Sequence, residues 1–195
     1  MDPVRAFIAI DLPEYLRRGL SVQIDRLRDA LTGIPIRWVR PEAIHLSLHF
    51  LGDTDLAQVP ELKQGLEGLV GAIPVFSISV GGLGCFPNPQ RPRVVWMGIQ
   101  EASGTLVHLQ QKVEAMCAQL GVPREKRGYS PHLTLGRIRP GGESKAAGEL
   151  GRVMMTDGVE HLGVALVDEV VLFQSELKPD GAVYSRLASV RLRAR

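Results

Sequence analysis

The chain is short of cysteine. Its two, Cys85 and Cys117, lie in apolar contexts without CxxC or metal-ligand spacing. That leaves no basis for a disulfide-stapled scaffold or a zinc module and predicts buried, reduced thiols, which favours the cytoplasm. Long apolar runs are missing too. The stretch from Ala6 to Ile10 stops at Asp11, too short for a secretory segment, and nothing later approaches the roughly 20 apolar residues of a membrane span. The expectation is a soluble, unexported protein with no membrane partner. Charge of one sign is also scarce: the net charge is +2. An anionic ligand is therefore permitted but not demanded. Basic residues do cluster locally, at Arg124, Lys126, Arg127, Arg137 and Arg139. The terminal Arg191, Arg193 and Arg195 read as a solvated tail.

No low-complexity linker divides the 195 residues, and 45% hydrophobic with 23% charged residues is an ordinary globular composition. Residues 1–195 fit one compact domain or two small lobes sharing a core. RAFIAID reads as a buried strand. Leu16, Leu20, Ile24, Leu27 and Leu31 follow with helical spacing, and Gly33 ends that helix. Further helices are predicted over Val59–Ile73 and from Ser103 to Gly121, and a weaker one over Glu143–Met155. Strands are predicted near Arg37–Val39, at Ile44–Leu51, Val75–Val80, Val94–Ile99 and His132–Ile138, then at Val164–Phe173 and Tyr184–Leu192 around a Lys178–Gly181 turn. Gly and Pro in GGLGCFPNPQRP are expected to forbid continuous pairing between the Val75–Val80 and Val94–Ile99 strands. The fold class is α+β, with antiparallel sheets and helices on their outer faces.

One internal echo stands out: HLSL at His45–Leu48 and HLTL at His132–Leu135, each in a predicted strand. Alternation puts His45 and Ser47 on one face with Leu46 and Leu48 on the core face, and likewise His132 and Thr134 against Leu133 and Leu135. Residues two apart lie roughly 6.5–7 Å from each other. If the two strands face each other, two imidazoles and two hydroxyls converge on one anion. Opening a cyclic phosphate needs water deprotonated on one side of phosphorus and the leaving oxygen protonated on the other, and imidazoles near pKa 6.5 can fill both roles. The hydroxyls can hold the non-bridging oxygens, and Arg137 is the nearest cation that could add to them. A single HLSL in a strand is usually a half-buried edge, but two of only five histidines open the same pattern.

A metal reading would pair His45 with His49 on the same strand face. At about 3.3 Å per residue they would stand roughly 13 Å apart, too far for one ion, so no metal and no cofactor is expected and His49 is assigned to the cleft edge. Arg137 is an odd number of residues from His132, so a bend near Gly136 must re-aim it.

With RAFIAIDLP, HLSLHFLGD, FPNPQRPRVVWMG, PHLTLGR and SELKPDGAVY, the chain resembles the 2H phosphoesterase superfamily over nearly its full length, and most closely its RNA 2′,3′-cyclic phosphodiesterases, also called 2′-5′ RNA ligases. The resemblance implies two pseudo-symmetric lobes, each an antiparallel sheet with outer helices, around a central cleft. It implies hydrolysis of RNA 2′,3′-cyclic phosphate ends to 2′-phosphomonoesters without metal. His45 would give a proton to the leaving 3′-oxygen and His132 would take one from water. Ser47, Thr134 and Arg137 would grip the phosphate. Ser47 stands where threonine is common, which keeps the hydroxyl. The expected partner of this monomer is RNA, including tRNA fragments, or a small cyclic nucleotide. A reversible 2′-5′ RNA ligase and a non-catalytic RNA- or nucleotide-binding module are the alternatives.

Overall fold

The computed structural model describes residues 3–156, 161–179 and 181–194. The elements run β1 (Val4–Ile10), α1 (Glu14–Ala30), β2 (Ile36–Trp38), β3 (Leu46–Thr54), α2 (Val59–Val70), β4 (Phe76–Phe86) and β5 (Val94–Gln100). Then follow α3 (Thr105–Gln119), β6 (His132–Ile138), α4 (Glu143–Thr156), β7 (Gly163–Val167), β8 (Glu169–Lys178) and β9 (Gly181–Arg191). Two antiparallel sheets result, ordered β3-β1-β8-β9 and β2-β6-β5-β4-β7. The strands that carry HLSL and HLTL therefore belong to different sheets. The sheets also exchange strands along the chain, since β2 joins the second sheet and β8 and β9 join the first.

The α1 face carrying Leu16, Leu20, Ile24 and Leu27 is buried, as their three-and-four spacing requires. These residues pack in one continuous core with strand residues of both sheets, among them Ile8, Leu46, Leu48, Met97, Leu133 and Leu135. The other face of the first sheet carries a separate small cluster, Phe7, Ala9, Val171 and Phe173, with Tyr184 against it. This second face is the one that meets the cleft.

Two strand expectations are corrected. Val164–Phe173 is not one strand: it breaks at Asp168 into β7, paired with β4, and β8, paired with β1 and β9. The segment Gly81–Phe86, expected to be loop, continues β4 and pairs with Val94–Gly98. Its glycines allow this. Gly82, at φ +75°, takes up a register skip between Gly81 and Leu83, and Gly84 has no side chain where the Trp96 indole crosses it. The β8–β9 pairing reaches Lys178 and Gly181, and Asp180 of the expected turn lies outside the described residues.

Candidate active site

Both motifs carry the same irregularity at their fourth residue. In β3, Ala9 pairs with Ser47 and Ile8 with His49, so Leu48 is an extra residue in the ladder. In β6, Trp96 pairs with Thr134 and Val95 with Gly136, so Leu135 is the extra residue. A bulge inserts one residue and inverts the alternation beyond it. Both leucines of each motif stay buried as expected. Past the bulge the faces exchange. Arg137 is thereby brought to the face of His132 and Thr134, opposite Val94. In the first motif the same inversion sends His49 to the core face, opposite Ile8, where it is 1% exposed. The assignment of His49 to the cleft edge, on the face of His45, is thus corrected, and a His45–His49 chelate is excluded because the two rings leave the strand on opposite sides. Phe50 takes the place in the first motif that Arg137 holds in the second.

His45 lies one residue before β3, after a short 3-10 turn at Pro41–Ala43, and His132 opens β6. Each ring is fixed in the same way. Nδ1 of His45 lies 3.1 Å from the Ala43 carbonyl oxygen, and Nδ1 of His132 lies 2.7 Å from that of Ser130, two residues upstream in both cases. With Nδ1–H donating to a carbonyl, Nε2 is the nitrogen left for proton transfer. Strands β3 and β6 approach each other across the cleft, and the hydroxyl of Tyr129, in the segment leading into β6, donates to the Ser47 carbonyl oxygen at 3.2 Å. The two imidazoles are near enough for the charge of His132 to act on His45. Neither the Ser47 nor the Thr134 hydroxyl is taken up by another described residue.

Aromatic rings support both histidines. His45 lies on Phe7, with centroids 4.5 Å apart, and meets the edge of Tyr184 at 5.0 Å. His132 meets the edge of Phe86 at 4.9 Å and lies 6.3 Å from Trp96. Burial on this bed pushes the pKa of His45 down from 6.5 to about 4, against the opposing pull of the Ala43 carbonyl and Asp11. Asp11 is itself ion-paired with Arg17 and Arg186.

Beside His45 opens a cavity of about 450 Å³ whose lining includes Arg5, Arg37, Arg40 and Arg137, with no carboxylate among the described residues. Arg37 and Arg137 are paired neighbours on β2 and β6. Close approach of these strands depends on Gly136, where a Cβ would come within 2.8 Å of Ile36 Cγ2 and 2.9 Å of Trp38 Cε3. Arg137 also acts on the Tyr184 hydroxyl, whose pKa burial raises and the guanidinium lowers. His132, Ser47 and Thr134 lie outside this cavity's lining; the cavity extends the site on the His45 side. Sequence reasoning missed Arg5, Arg37 and Arg40 and the aromatic bed. A signal was present: of the ten Phe, Trp and Tyr residues, all but Tyr15 and Phe76 lie at the cleft or on the strand packing that supports it.

The arrangement can hold an anion between two hydroxyls and a guanidinium and move protons on either side of it. Over residues 10–96, and again over 98–184, the chain matches the family model described as LigT like Phosphoesterase. It is 35% identical to the RNA 2′,3′-cyclic phosphodiesterase of Methanothermobacter thermautotrophicus over 97% of this chain and 99% of that protein. Identity to the Aeropyrum pernix protein of the same name is 34%, over 87% of this chain and 94% of that one. A crystal structure of a Thermus thermophilus protein superposes with a TM-score of 0.78 at 28% identity, covering 97% of this chain and 98% of that one. E. coli LigT complexed with 3′-AMP does so with 0.73 at 25% identity, covering 97% and 98%. Each half-chain match contains one histidine motif, on strands that share the bulge and the ring anchoring, and on these grounds the chain belongs to the LigT-like phosphoesterase family.

Proposed function

We propose that the protein hydrolyses RNA 2′,3′-cyclic phosphate ends to 2′-phosphomonoesters, with His45 and His132 as its acid–base pair. The observation that carries this reading is the matched anchoring of the two imidazoles, Nδ1 on the carbonyl two residues back, which presents two Nε2 atoms to one cleft. His132 Nε2 takes a proton from the water that attacks phosphorus. The bond from phosphorus to O3′ breaks in line, and His45 Nε2 supplies the proton that O3′ needs. Hydroxyls of Ser47 and Thr134 donate to the non-bridging oxygens, and the Arg137 guanidinium offsets the charge that builds there.

His45 is neutral at pH 7 in the free protein, because burial sets its pKa at about 4. A donor role therefore requires the bound phosphate anion to draw a proton onto it. The buried free thiols of Cys85 and Cys117 fit a reducing compartment such as the cytoplasm. The test is incubation with an RNA oligomer ending in a 2′,3′-cyclic phosphate, followed by analysis of the end group. A 2′-phosphate product supports the reading; a 3′-phosphate product or an unchanged end refutes it.

A further inference from the structure

A second cavity, of about 530 Å³, lies beyond the first and is lined by Val122, Pro123, Arg124, Glu125, Lys126 and Arg127 on one side. Phe50 and Gly52 line both cavities, so the two are adjoining segments of one groove that starts at His45 and Arg137. We infer that this groove is a track for the RNA strand on the 5′ side of the reacting nucleotide, with Arg124, Lys126 and Arg127 holding upstream phosphates. The inference rests on the proposed function and adds to it a preference for polynucleotide over mononucleotide.

Three observations support the track. A strand ending in a 2′,3′-cyclic phosphate continues only in the 5′ direction, so it must leave the cleft along one path, and this groove begins where the reacting phosphate sits. Its far segment carries three exposed cations and one acid, and none of the three cations forms an ion pair among the described residues. The loop is also held in place, since the Glu125 backbone N–H donates to Glu114 of α3 at 2.9 Å. Between the segments stands Phe50, 55% exposed, an aromatic face on which an unpaired base can stack. A merely solvated loop would affect no substrate.

The test compares kcat/KM on a 2′,3′-cyclic mononucleotide and on a hexaribonucleotide ending in a 2′,3′-cyclic phosphate, for the parent protein and for the combined variant Arg124→Ala, Lys126→Ala, Arg127→Ala. The variant is expected to lose about tenfold or more on the hexamer at low salt and nothing on the mononucleotide. Its plot of log kcat/KM against log salt for the hexamer should be shallower by about 2, since each phosphate contact to a single strand contributes roughly 0.7. An unchanged hexamer rate, or an equal loss on both substrates with an unchanged melting temperature, overturns the track. Should the parent protein turn over neither substrate, the proposed function fails. The track is then read separately, by fluorescence anisotropy of a labelled hexamer with a 3′-phosphate end, where undiminished binding by the variant overturns it.

Discussion

Removing His132 isolates the titration of His45 and decides its role. In the intact protein the reactive form with protonated His45 and neutral His132 carries the same number of protons as the reverse form, so a bell-shaped pH profile cannot assign the roles. The His132→Ala variant can. With the His45 pKa at about 4, only about one molecule in a thousand of the free protein carries that proton at pH 7. If His45 is the donor, kcat/KM of the variant falls about tenfold per pH unit, and between pH 5 and 8 by about a thousandfold in all. Loss of His132, whose charge lowers the His45 pKa, moves the break slightly upward. The assay is single-turnover cleavage of a cyclic-phosphate RNA with enzyme in excess, because removing one proton-transfer group costs on the order of 10²–10⁴-fold. His45→Ala should lose this fall in rate toward alkaline pH. A His132→Ala profile that is flat above pH 5 would refute the reasoning and make His45 the base.

Arg137→Ala should lower kcat/KM about 10- to 100-fold, the range of a charge-assisted hydrogen bond, with an unchanged melting temperature; an unaltered rate would return Arg137 to the surface. Gly136→Ala should destabilise by about 1–3 kcal/mol in urea unfolding, because its Cβ has no room against Ile36 and Trp38. Stability should fall as pH drops from about 6.5 to 4: the folded pKa of His45 is depressed, so the unfolded chain binds the proton first, at a cost on the order of 3 kcal/mol. His45→Gln should flatten that decline in pH-dependent melting. His49→Leu should be neutral or stabilise by about 1 kcal/mol, since neither buried ring nitrogen of His49 has a partner among the described residues. Exhaustive EDTA should leave the rate unchanged; loss of turnover restored by zinc or manganese would contradict the two-imidazole chemistry.

The helices and most strands were legible because their apolar spacing is regular, as at Leu16, Leu20, Ile24 and Leu27. The motif faces were legible for as long as alternation held, through Ser47 and Thr134. Alternation misplaced His49 because the bulge at Leu48 leaves no mark in a sequence where leucine suits either a regular or an extra position. The same device at Leu135 was detectable only through the demand it satisfies, that Arg137 reach the cleft. Gly81–Phe86 reads as loop because glycine usually weakens a strand; here Gly84 gives the Trp96 indole its place. Arg37 and Arg40 were not identifiable because β2 crosses into the second sheet, a long-range pairing that no local pattern encodes; Arg5, on β1, meets them only through the packing of the two sheets around the cavity.

The exchange of Phe50 for Arg137 at matching points of the two motifs has a consequence for substrate orientation. A cleft made of two like halves offers a ligand two poses related by a half-turn, and in each pose the histidines would trade roles. A guanidinium on one side and a phenyl ring on the other make those poses unequal. Under the proposed function the charged oxygens would be drawn to the Arg137 side, while a base would find its flat partner at Phe50. On the proposed roles, one side chain in each half would turn a nearly symmetric vessel into a directional one, in which the leaving oxygen meets the same imidazole at every turnover.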